Sequence, residues 1–185
     1  MIRRIAVVAS AIIIFWSLVM AAPGSAGPAL PNDTHLRVLP AAVNLKLHAP
    51  VTVEVYVENV VDLYGADIQL QFPPALFQVR DANPSVPGVQ ITARSDLLVP
   101  RFIVSNEADN QAGIISYVVT QMAPQAPAQG SGALFSFVAD TIQPGVGAFA
   151  IQQQTLATRD AVTIVVTAHN AYYQVLRAMY LPLIF

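Results

Sequence analysis

Val51–Glu58 alternates without a break: Val51, Val53, Val55 and Val57 fall on one side, Thr52, Glu54, Tyr56 and Glu58 on the other. A period of two is the mark of a strand with one buried face. Ala66–Phe72 repeats the pattern, with Ile68, Leu70 and Phe72 turned inward and Asp67, Gln69 and Gln71 outward. Side chains at i, i+2 and i+4 of a strand share a face, so those three polar residues project together. Pro73-Pro74 then stops the ladder, because proline has no N–H to donate. Thr34–Leu39 alternates weakly and reads as a first strand. Arg101–Asn106 and Gly113–Gln121 flank the polar stretch Glu107–Ala112 and predict a hairpin. Ala123–Gly132, rich in Pro, Gln, Gly and Ser, predicts a loop. Ala133–Ala139 is apolar on both sides and predicts a central strand. Pro144–Gly147 predicts a turn, and Gly147–Gln152, Ala161–Ala168 and Ala171–Leu176 predict further strands. Roughly nine short strands at turn-punctuated spacing predict an all-β fold, an antiparallel β-sandwich. No internal repeat and no second domain is visible.

The ends of the chain break this pattern. Arg3 and Arg4 precede an almost continuous apolar run, Ile5 to Met20, and small residues follow through Gly27. Residues 1–26 therefore read as a secretory signal peptide, with an A-x-A-like exit at Gly24-Ser25-Ala26; an uncleaved anchor is the alternative. Residues 27–33 read as a flexible lead-in, 34–176 as the β-sandwich domain, and 177–185 as an apolar tail. That tail is too short to span a bilayer. It reads either as a final element packed on the sandwich or as an exposed patch for a partner or the cell envelope.

Charge narrows the partners. Removing Arg3 and Arg4 with the leader leaves seven basic residues against eleven acidic, a formal charge of −4. With one lysine, Lys46, the chain has no electrostatic footprint for nucleic acid or anionic lipid. It has no cysteine, which excludes thiol catalysis and cysteine-ligated metals. His35, His48 and His169 are isolated in sequence and match no metal-site spacing, so no metal or other cofactor is expected. Glu54 and Glu58 share a strand face but lie roughly 13 Å apart at about 3.3 Å per residue, too far for a glycosidase carboxyl pair. Asp109-Asn110 lacks the pattern of a calcium loop. Asn32-Asp33-Thr34 matches a glycosylation sequon. No G-x-S-x-G or phosphate loop is present, and the chain reads as a non-enzyme.

The order of motifs from Val51 onward resembles the cohesin family, the receptor modules of cellulosome-like scaffolds. The residues that carry the resemblance are Glu58-Asn59-Val60, the pivot Leu63-Tyr64-Gly65, the strand Ile68–Phe72 and the corner Phe72-Pro73-Pro74-Ala75-Leu76. Further on are "NEADNQAGIISYVV" (Asn106–Val119), "GSGALFSFVA" (Gly130–Ala139) and "LATRDAVTIVV" (Leu156–Val166). Pro73 stands where the family usually has Asp. The resemblance covers about residues 34–176 and implies a nine-stranded jelly-roll sandwich. Gly65, as a residue free of a side chain, is expected to supply unusual backbone angles at the pivot.

Cohesins recognise dockerins, small calcium-loaded helical modules, on one sheet face. By resemblance, Asp67 occupies a recognition position, and Val118 and Gln121 lie on the hairpin strand that shares its face. Gln121 falls where an acidic residue is common, and Gly65 where Asn occurs. The implied partner surface is Asp67, Gln69, Gln71, Val118 and Gln121. It would bind a dockerin-bearing or other secreted protein, in polysaccharide degradation by analogy. Polar alternation of this kind also fits an ordinary solvated face. One alternative is a carbohydrate-binding module on the same fold, for which Tyr56, Tyr117 or Tyr172 would have to align on one face. Another is a structural surface protein that assembles through Arg177–Phe185.

Overall fold

The computed structural model describes residues 33–177. The leader, most of the lead-in and residues 178–185 of the tail lie outside them. Fourteen strand segments follow in chain order: β1 (His35–Leu39), β2 (Ala42–Lys46), β3 (Pro50–Leu63), β4 (Gly65–Gln71), β5 (Phe77–Val79), β6 (Val89–Gln90), β7 (Thr92–Ala93), β8 (Phe102–Asp109), β9 (Ile114–Thr120), β10 (Ala128–Thr141), β11 (Gly145–Ala157), β12 (Thr163–Ile164), β13 (Thr167–His169) and β14 (Ala171–Leu176). Nine of them are five residues or longer, and no helix occurs among the described residues. Sheet I runs β13-β1-β3-β10-β5 with β7 added at β10; sheet II runs β2-β14-β11-β4-β9-β8-β6 with β12 added at β11. The protein is an all-β sandwich.

The alternating segments sit where their phase puts them. Val51, Val53, Val55 and Val57 of β3 face Ile68 and Leu70 of β4 across the interior, and all six are buried. Aromatic rings fill the space between the sheets. Phe149 is the hub, with ring centroids 5.0 Å from Phe77 and Phe137, 5.4 Å from Phe72 and 5.7 Å from Tyr173. Tyr117 and Phe135 pack at 4.7 Å in a second cluster. Burial of each such ring contributes on the order of 1.5–3 kcal/mol.

Direction and crossing points differ from the sequence reading. Two strand pairs are parallel, β1 with β13 and β2 with β14. The predicted first strand is β1; past Pro40–Ala41 it is followed on the other sheet by β2, a strand the sequence reading does not include, and β13 and β14 likewise lie on different sheets on either side of Asn170. The two ends of the domain thus run side by side and change sheets together. Alternation encodes which face is buried but not strand direction, so the expected all-antiparallel pairing fails here. The predicted strand Ala161–Ala168 is for the same reason two short pieces, β12 on sheet II and β13 on sheet I, with Val165 exposed at the crossing. The predicted loop Ala123–Gly132 already enters β10 at Ala128, with register shifts around Gly130 and Gly132.

Gly65 does not have the left-handed backbone expected of it. The left-handed residues near the pivot are Asn59 (φ 56°) and Asp62 (φ 58°), inside β3. Asn and Asp tolerate that region better than most side chains. The glycine whose conformation is demanded is Gly113 (φ 70°), which ends the β8–β9 turn. A Cβ there would lie 2.2 Å from the Phe72 carbonyl oxygen, and the Phe72 N–H donates to the Gly113 carbonyl at 2.8 Å. Gly113 thus fastens the hairpin to the corner that follows β4.

Candidate functional site

The outward face of sheet II is built from the polar phase of its strands. In β4, Asp67 and Gln69 are half-buried and Gln71 exposed, alternating with the buried Ala66, Ile68 and Leu70. The antiparallel register with β9 places Val118 opposite Asp67, Ser116 opposite Gln69 and Ile114 opposite Gln71. On the other side β11 sets Thr155 opposite Asp67, Gln153 opposite Gln69 and Ala150 opposite Gln71. A bulge between Ile151 and Gln153 resets the phase of β11 so that Gln153 and Thr155 face outward. The Gln153 amide donates to the Asp67 carboxylate at 3.4 Å.

Asp67, Gln69, Gln71 and Val118 therefore occupy one continuous surface. Gln121 does not belong to it. It follows Ile115, Tyr117 and Val119 in the inward phase of β9 and is 3% exposed. In the amide orientation that satisfies both groups, its nitrogen donates to the Ala126 carbonyl at 2.9 Å and its oxygen accepts from the Val99 N–H at 3.3 Å. Gln121 is thus a bracket for the following loop. Period two alone forbids residues 118 and 121 from sharing a strand face. Ser116, Thr120, Gln153 and Thr155 complete the surface instead. The register with β9 and β11, which sequence does not display, is what brings them to Asp67.

The charge content of this face is low. Strands β14, β11, β4 and β9 are consecutive neighbours in sheet II, and they carry one charged residue among them, Asp67. At one margin β8 adds Glu107, opposite Ser116. It also exposes three apolar residues in a row, Phe102, Ile103 and Val104, beside the exposed Met122. Asp109, at the end of β8, accepts from the Ala112 and Gln111 N–H groups at 2.9 and 2.7 Å. Those backbone bonds hold its carboxyl below the usual range; it is a turn-former. At the opposite margin β14 and β2 present Tyr172, Gln174, Ala42 and Asn44 around a shallow hollow with Val146.

Tyr56, Tyr117 and Tyr172 do not form a row. Tyr117 is in the core, with its hydroxyl pushed up to about 12 by burial. Tyr56 belongs to β3 in sheet I, and Tyr172, 59% exposed, stands on β14 in sheet II. The histidines expected to be isolated also prove otherwise: His35 and His169 meet on the outer side of sheet I. No group of three or more His, Asp or Glu side chains poised for a metal occurs among the described residues. No helix among them is long and apolar enough to cross a membrane.

No protein-family model matches the sequence, and no curated protein sequence matches it. Solved structures do. A non-cellulosomal cohesin from the hyperthermophilic archaeon Archaeoglobus fulgidus matches with a TM-score of 0.59 at 14% identity, over 78% of this chain and 92% of that one. A type II cohesin domain from the cellulosome of Acetivibrio cellulolyticus matches with a TM-score of 0.61 at 12% identity, over 77% and 95%. The OlpA cohesin of Clostridium thermocellum, solved in a cohesin–dockerin complex, matches with a TM-score of 0.56 at 14% identity, over 78% and 100%. The fold is cohesin-like.

Proposed function

We propose that this chain is an exported, non-enzymatic binding module that holds a dockerin-type protein partner on the outward face of sheet II. The observation that carries the reading is the nearly charge-free polar surface centred on Asp67, on a fold shared with cohesins, one of which is solved with a dockerin. A flat sheet of paired strands is preformed, so docking requires little ordering of the receptor. Gln69, Gln71, Ser116 and Gln153 offer hydrogen bonds without the desolvation cost of charge. Asp67 is the exception. Covered without a partner it would cost several kcal/mol, so it selects ligands that bring a cationic side chain or a cluster of N–H donors to that point. Val118 and the apolar margin at Phe102 and Val104 supply contact area. Export rests on the N-terminal leader read from the sequence.

The carbohydrate alternative needed Tyr56, Tyr117 or Tyr172 aligned on one face; Tyr117 is buried, and Tyr56 and Tyr172 stand on different sheets. The alternative of assembly through Arg177–Phe185 falls almost wholly outside the described residues.

The test is capture from the secreted fraction of the producing organism, with and without calcium, on immobilised intact chain and on Asp67→Arg. A dockerin-bearing protein should be retained by the intact chain, lost on chelation, and lost with Asp67→Arg. Equal recovery from both chains would remove Asp67 and its neighbours from the binding surface.

A further inference from the structure

The outer side of sheet I holds a cluster that the partner surface does not use. In the parallel β1–β13 pair, Thr167 lies opposite His35 and His169 opposite Arg37. His35, Arg37 and His169 therefore share one face. His169 Nε2 lies 3.1 Å from His35 Nδ1, both rings being half-buried, and the ring centroids are 5.1 Å apart at 52°. Two imidazole nitrogens at this distance share one proton as a hydrogen bond or, with a small turn of the rings that brings both lone pairs to a common point off the N···N line, share one cation. Zinc–imidazole bonds are about 2.0–2.1 Å, so two such ligands on a tetrahedral zinc lie about 3.3 Å apart. The observed separation is within a few tenths of an ångström of that span.

We propose that His35 Nδ1 and His169 Nε2 form a two-histidine chelate for zinc or a similar late first-row divalent cation, completed by water. Imidazole is a preferred ligand for these metals and a poor one for calcium or magnesium. The charged groups beside the pair do not repel a cation as a net charge. Glu58, the cross-strand neighbour of His35, is bound to Arg37 Nε at 2.8 Å, and the two charges cancel. Glu58 is thereby engaged elsewhere, and the chelate rests on the two histidines. The bound cation would clasp β13, a three-residue edge strand paired only to β1, onto the body of sheet I. The site and the Asp67 surface are on opposite sheets, so cation binding and partner binding are separable.

The test uses tag-free full-length chain titrated with zinc, read by calorimetry and by thermal unfolding. One zinc per chain and a zinc-dependent rise in the unfolding midpoint are expected. His35→Gln and His169→Gln should each weaken zinc binding at least ~10-fold, the loss typical of disturbing even an outer-shell partner. His48→Asn, which keeps a residue tolerant of the left-handed backbone at φ 59°, should bind as the intact chain does. Should a histidine variant fold poorly, side-chain NMR of the intact chain decides instead: zinc should move the His35 and His169 imidazole resonances together and leave His48 in place. A midpoint indifferent to zinc, a shift that survives in His169→Gln, or joint movement of all three histidines would overturn the site.

Discussion

The two outer faces of the sandwich are built to opposite rules. On the sheet I side three pairs of charges close within the chain, Arg37 with Glu58, Arg80 with Asp140, and Arg94 with Asp96, at 2.8, 2.7 and 2.9 Å, while Glu54 and Asp62 of β3 belong to none of these pairs. Each partly exposed charge in the three pairs already has a partner within the chain. On sheet II, four adjacent strands carry one charge, Asp67, and its contact within the chain is a long amide hydrogen bond at 3.4 Å. A charge already paired within the chain has little to offer a ligand. A face with one weakly satisfied carboxylate in a neutral polar field has a single point at which charge decides affinity. The contrast, more than the polarity of either face, is what supports the proposal of sheet II as the surface for recognition.

The largest way to break the comparison is through the core that both faces share. Phe149 is fully buried and touches four other rings drawn from both sheets. Phe149→Ala should lower unfolding free energy by about 3–5 kcal/mol, measured by denaturant titration. If the rigidity of sheet II matters for docking, partner affinity should fall as well, without any contact having been removed. A loss below about 1 kcal/mol would mean that the ring cluster is not the keystone of the sandwich.

Asp67→Arg tests the contrast directly. The residue is on the surface, so stability should change by no more than about 0.5 kcal/mol. Partner affinity should fall by roughly 2–5 kcal/mol, since the charge pair proposed at Asp67 would be broken and a like charge introduced. Calorimetry against the captured partner separates the two effects.

The inward phase of sheet II gives an alkaline signature. Burial raises the Tyr117 hydroxyl to about 12 and moves Tyr173 in the same direction. For a group whose folded value is raised, stability is full below the unfolded value of about 10 and is lost as pH rises towards the folded one. The shift of Tyr117 corresponds to about 2–3 kcal/mol by this linkage. Tyrosinate absorbance of these two rings should therefore appear together with unfolding, between pH 10 and 12. Ionisation of both with the near-ultraviolet circular dichroism intact would show that they are reachable by water in the folded state.

What sequence could say about this molecule follows from which quantities are local. Face polarity is local. Val53, Val55, Ile68 and Leu70 on one side and Asp67, Gln69 and Gln71 on the other are fixed by counting in twos, and the structure has them so. The same counting places Gln121 inward with Tyr117 and Val119, and a position carried over from a resembling family overrode it. Pairing is not local. Val118 meets Asp67 across 51 residues of chain, and Gln153 reaches it only because a bulge shifts β11 by one. Direction is not local either, and the parallel β1–β13 pair brings His35 to His169 across 134 positions. The left-handed backbone at Asn59 and Asp62, inside what reads as strand and turn, belongs to the same class: a side chain permits it, but only the sheet crossing requires it.

The smallest effect expected is on the sheet I side. Arg80 donates twice to Asp140 at 2.7 Å, and these bonds, with the attraction of opposite charges, hold the Asp140 carboxyl below its ordinary value. A lowered carboxyl contributes stability that is present above the unfolded value of about 3.9 and lost as pH falls through the folded one. Side chains 54% and 32% exposed leave the pair to solvent screening, and its contribution is small. Arg80→Gln should therefore be slightly less stable than the intact chain at pH 7. The difference should fade below about pH 4 and also at 1 M salt, where screening acts within about 3 Å. Partner affinity should be unchanged, because the pair lies on the far face from Asp67. If Arg80→Gln weakened partner binding as strongly as Asp67→Arg, the division of labour between the faces would be wrong, since a charge already satisfied within the chain would then be taking part in recognition.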